Sequence, residues 1–122
     1  MTSNEAAARF IRSSFRSVWS LELLLLLKRE RRPWPRAELV SALRASDLVV
    51  AQALDGLVAA GLAVADRGEA ASYAPVSDEV AALVDAAERI YASRPDAVRR
   101  MIVSAHAGSL TAFADAFRLR KD

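Results

Sequence analysis

Residues 36–76 read RAELVSALRASDLVVAQALDGLVAAGLAVADRGEAASYAPV, and their texture changes once, at Gly61. Before it, apolar residues recur at helical spacing. Leu39, Val40 and Leu43 form one face of a short helix over Arg36 to Arg44, with Pro35 suited to its first turn. Ser46-Asp47 then reads as a turn and helix cap, the carboxylate favouring the positive helix start. The next helix runs to Ala60 and ends at Gly61, which can take a left-handed cap. With Leu54 at the centre of its buried face, Val50, Leu57 and Val58 fall within about 60° of it. Leu48, Val49, Gln52, Asp55, Gly56 and Ala59 then face the other way. After Gly61 the pattern alternates: Leu62, Val64, Tyr73 and Val76 lie in two short segments split by Asp66-Arg67-Gly68-Glu69, which predicts a β-hairpin.

Outward from this block the signals are helical. Asn4 to Arg16 carries Phe10, Ile11 and Phe15 among arginines and predicts an amphipathic helix. Ser17 caps a second helix holding Trp19 and the leucines 23–27, and Arg32-Pro33-Trp34-Pro35 ends it, because closely spaced prolines cannot continue a helix. Both tryptophans are expected in the core or at its edge. Ser77-Asp78-Glu79 opens a helix whose Val80, Leu83, Val84, Ala87, Ile90 and Tyr91 share one face. Arg94-Pro95-Asp96 starts another, with Val98, Met101 and Ile102, and Gly108-Ser109 precedes a last one bearing Leu110, Phe113 and Phe117.

Composition bounds the chemistry. The 122 residues, 53% of them hydrophobic, suit one domain and argue against global disorder. No cysteine is present, so disulfides, thiolate metal sites and cysteine nucleophiles are excluded. The single histidine, His106, has no second histidine or serine–aspartate arrangement near it in sequence, and is expected at a helix end rather than in a metal site or triad. The four glycines do not form a phosphate-binding loop. The expected chain is therefore neither an enzyme nor a cofactor carrier. The apolar run 18–27 is shorter than the roughly 20 residues of a membrane span, and Lys28-Arg29-Glu30-Arg31-Arg32 follows it where a signal peptide has small residues. A cytoplasmic location is expected.

The net charge of +2 conceals segregation. Residues 9–44 hold nine Arg or Lys against three Glu, whereas 45–96 hold three Arg against nine acids. The basic third can attract phosphates, or it can simply face the acidic third inside the fold.

The order helix, helix, turn, helix, hairpin, helix resembles winged helix-turn-helix transcriptional regulators of the MarR, ArsR and PadR kind. The resemblance rests on Glu38-Leu39-Val40 with Leu43, on Ser46, Val50, Leu54 and Leu57, and on Ala60-Gly61-Leu62 leading into the hairpin Asp66-Arg67-Gly68 to Tyr73. It covers residues 17–76 and implies a mostly α (α+β) single domain over 1–122, with 1–16 and 77–122 as flanking helices that pair two copies into a homodimer. A symmetric dimer would offer two reading helices to half-sites about 34 Å apart. The partner implied is double-stranded DNA. The implied contacts are Arg36 and Arg44 on phosphates, Ser46, Val49 and Gln52 at the major groove, and Arg67 on the wing. One departure stands out: the outward face of the reading helix has no Arg, Lys or Asn and does have Asp55. Major-groove readers commonly use Arg, Lys, Asn or Gln, and only Gln52 qualifies. A protein-binding adaptor using Leu48, Val49 and Asp55 is therefore the second reading.

Overall fold

The computed structural model describes residues 3–67 and 70–106. Its elements run α1 (Ser3–Ser14), α2 (Val18–Arg29), β1 (Trp34–Pro35), α3 (Arg36–Leu43), α4 (Asp47–Ala59), β2 (Ala63–Asp66), β3 (Ala70–Tyr73) and α5 (Asp78–Ser93). Residues 95–106 are helical again. The three strands form one antiparallel sheet in the order β1-β3-β2 on an otherwise helical chain. Among the described residues no helix is long and apolar enough to cross a membrane. The expected last helix with Leu110, Phe113 and Phe117 lies outside the described residues, as do Gly68 and Glu69.

The centre is α2. Ser17 caps it reciprocally: its Oγ accepts from Ser20 N at 3.2 Å, and Ser20 Oγ accepts from Ser17 N at 3.4 Å, serine taking the place of the usual Glu or Gln. Leu21, Leu23, Leu24, Leu25 and Leu27 are buried on several sides of the helix, as an all-round apolar helix must be. The helix stops at Arg29, before the prolines.

The proline segment was expected only as a break, and the structure corrects this. Trp34 and Pro35 form an edge strand on β3, with Trp34 opposite Ala71 and Pro35 opposite Ala70. An edge tolerates proline because the missing N–H faces no partner. Trp34 is buried, its Nε1–H donates to Glu30 O at 3.0 Å, and the Arg32 guanidinium lies 3.7 Å over its ring. Trp19 departs from expectation in the other direction, being 41% exposed.

Between α3 and α4 the chain reverses through Arg44, whose backbone is left-handed at φ 54°. Ser46 Oγ then accepts from Val49 N at 3.1 Å and caps α4, which buries Val50, Ala53, Leu54 and Leu57. Val58, expected on that face, is instead 41% exposed. Gly61 has φ 76°, a backbone region that favours glycine, and a Cβ there would sit 3.2 Å from Val76 Cβ, tighter than ordinary contact. The hairpin pairs Ala63 with Tyr73 and Asp66 with Ala70. Leu62 and Ala63 point inward, while Val64 faces solvent and Val76 lies beyond β3, also exposed.

Ser77 Oγ accepts from Val80 N at 3.1 Å and caps α5, with Asp78 and Glu79 in its first turn. Helix α1 packs against α5, and Ala7 and Ile11 of the helix and Phe15 just after it are buried within the chain. Val98 and Ile102 of the 95–106 helix are buried, and His106 Nε2 lies 3.0 Å from Phe15 O. Polar contacts tie α2 to α5: Lys28 Nζ reaches Glu88 at 2.7 Å and Asp85 at 3.1 Å, and the Tyr91 hydroxyl donates to Glu22. The Glu88 hydrogen bond raises the Lys28 pKa against the opposing effect of burial. Burial raises the tyrosine pKa at Tyr73 and at Tyr91, the latter with help from Glu22.

These three shifts have one sign. Above pH about 10 the unfolded chain loses protons that the folded chain retains, so stability is full below that pH and falls as pH rises through the folded values. Urea unfolding followed by circular dichroism from pH 8 to 11 will show this decline, and Lys28→Met will make it shallower.

Candidate functional site

The outward face of α4 stands open. Leu48 is 66% exposed, and Gln52, Asp55 and Ala59 are exposed along the same side. The opposite face, with Leu54 and Leu57, packs on α2 and so fixes which side looks out. Val49 sits on the flank between the two, half-buried.

The residues expected at the site fall into two groups. Along one flank of α4 lie Ser46, Val49 and Gln52, spaced three apart so that they follow one ridge of the helix, with Arg44 exposed at the turn that precedes it. Ser46 spends its hydroxyl on the cap. At the sheet end lie Arg36 and Arg67. Arg36 follows Pro35, which pairs with Ala70, and Ala70 pairs with Asp66, so Arg36 and Arg67 flank the same end of the sheet. Two strand spacings, about 10 Å, separate their backbones. Arg67 is exposed with φ 47°. Arg36 is only half-exposed, and its Nε is shielded from solvent. Arg44 and Arg36 stand at opposite ends of α3, roughly 12 Å apart along its axis. The arginines thus bracket α4 rather than cluster on it.

A groove of about 580 Å³ runs along the α4 flank that the sequence reading had not anticipated. Val49, Gln52 and Gly56 form one wall, and Arg16, Ser17 and Trp19 from the junction of α1 and α2 form the other. A Cβ added at Gly56 would meet nothing within 4 Å, so the wall is open there. Arg16 and Trp19 therefore belong to the site. Their signal in the sequence is faint, because the leucines surround α2 so fully that no polar face shows which way Trp19 points.

The electrostatics are divided. From Ala45 to Asp66 there is no Lys or Arg, while Asp47, Asp55 and Asp66 are present. Among the described residues, positive charge borders α4 at Arg16 across the groove and at Arg44 in the turn. Among the described residues no group of His, Asp or Glu could hold a metal ion. The arrangement presents contact side chains, one amide and an apolar tip.

Two measurements check this geometry. Ser46→Ala will lower the unfolding free energy by about 1 kcal/mol through loss of the cap. In a Trp34→Phe protein, the remaining Trp19 emission will be red-shifted and strongly quenched by iodide; blue, unquenched emission would contradict the open groove. No family model, curated protein or solved structure matches the chain.

Proposed function

We propose that the chain is a winged helix-turn-helix module that binds duplex DNA as a transcriptional regulator. The support is topological. A helix, an edge strand, two helices joined by a tight turn, and a hairpin follow in order, with β1 returning beside β3. That order supports reading α4 as the recognition helix and the β2–β3 hairpin as the wing. The observation that carries the reading is the open face of α4, neither α1 nor the 95–106 helix covering Leu48 or Gln52.

In this reading α4 enters the major groove. Gln52 is suited to adenine, and Leu48 and Val49 to thymine methyls. Arg44 and Arg16 reach phosphates on either side of α4, while Arg67 and Arg36 hold the backbone or minor groove at the wing. Such contacts set position, not sequence. Asp55 limits affinity, so the bordering arginines must outweigh it.

A second reading has its own observation: the two carboxylates of α4, Asp47 and Asp55, stand without a basic residue on that helix, beside an exposed Leu48. That surface suits a protein partner, and the adaptor reading follows if duplex DNA is not bound.

Fluorescence anisotropy with duplexes drawn from a random pool tests the two. Affinity is expected to fall steeply with salt, as phosphate contacts release counterions. Arg36→Ala and Arg67→Ala will each weaken binding to every sequence and reduce the log–log salt slope by about 1. Gln52→Ala will flatten sequence preference instead. Unchanged affinity in all three variants, or no retention at low salt, overturns the DNA reading.

A further inference from the structure

The charges of α5 are sorted by side. Asp85 and Glu88 face α2, where Lys28 and Arg29 neutralise them at 2.7–3.6 Å. Arg89 and Arg94 point the other way, toward α1, where Arg9 joins them. None of these three guanidiniums has an ion-pair partner among the described residues. They rim an apolar trough between α1 and α5. Two hollows of about 420 and 550 Å³ make it up, meeting at Ala86 and Arg89. Phe10, Leu83, Ile90 and Met101 line it, and alanines keep its floor low. One acid, Glu79, stands at one end.

We propose that this trough docks an acidic amphipathic helix of a partner protein. The shape fits: α5 has 16 residues, and small side chains let a second helix approach closely in a groove between two others. Charge selects the occupant. Three uncompensated arginines against one glutamate call for carboxylates along both edges of an apolar stripe. A second copy of this chain would set the same basic rims against each other. The chain's own residues 107–122 carry Arg118, Arg120 and Lys121 against Asp115 and Asp122, the wrong sign for this rim. The trough is built from α1, α5 and the 95–106 helix, not from α4, so the proposal does not rest on DNA binding.

The test uses the full chain and three fluorescein-labelled peptides of about 20 residues, long enough to span roughly 30 Å as a helix. One has leucine at i, i+3, i+4 and i+7 with glutamate elsewhere; one replaces every glutamate by lysine; one scrambles the first. The acidic amphipathic peptide is expected to bind at least about tenfold more tightly than either control, with the preference shrinking as salt is raised. Arg89→Glu combined with Arg94→Glu, both surface changes, will abolish the preference. Ala86→Trp will block binding, and its far-UV dichroism and urea midpoint will verify folding. Duplex DNA affinity will not respond to Ala86→Trp, which separates failure here from failure of the DNA reading. Equal binding of the peptides, or none, overturns the proposal. So does sedimentation equilibrium showing a dimer that Ala86→Trp dissociates, since a second copy would then be the occupant.

Discussion

Burial of α2 from several directions at once is the constraint on which the other elements depend. Each fully buried leucine contributes on the order of 1.5–3 kcal/mol relative to exposure, and five of them lie within seven residues. A helix this apolar must be enclosed. Helix α4 and the sheet cover one part of it, and α5 is joined to it by Lys28 and Glu22. Glu22 is the one acid in the run, and a half-buried carboxylate has to be hydrogen-bonded. The Tyr91 hydroxyl meets that need.

That enclosure also decides what is left outside. Since α4 commits Val50, Ala53, Leu54 and Leu57 to α2, its remaining surface has to be Leu48, Gln52, Asp55 and Ala59. Since α1 and the residue after it turn Ala7, Ile11 and Phe15 into the same chain's core, Arg9 and Phe10 are left to line the trough beside α5. One packing choice thus yields an apolar-acidic helix face at one place and a basic trough at another.

Much of this is readable in the sequence. Ser17, Ser46 and Ser77 each signalled a helix start, and each caps one, because a hydroxyl ahead of an apolar run has orphan amides within reach. Gly61 marked the end of α4, and the alternation after it gave the hairpin. The strand at Trp34 was not legible: two residues beside prolines carry no periodicity, and only the partner β3 makes them a strand. Trp19 and Val58 lie exposed against expectation for a related reason. Where nearly every position is Ala, Val or Leu, local hydrophobicity no longer distinguishes the covered side from the open one, and neighbours far along the chain decide. The site was legible as a set of residues on α4, but the opposite wall of its groove comes from residues 14–20, which no local pattern links to it.

Arg44 and Arg67 both hold left-handed backbone, at φ 54° and 47°, a region that favours glycine and costs other side chains roughly 1 kcal/mol or more. Two cations therefore occupy corners of the fold where a simpler residue would relax it. Selecting this chain for heat resistance alone would be expected to erode them early, trading charge at the turn and the hairpin for a calmer backbone. A thermostabilised descendant could keep every helix and still have lost the two corners that flank α4.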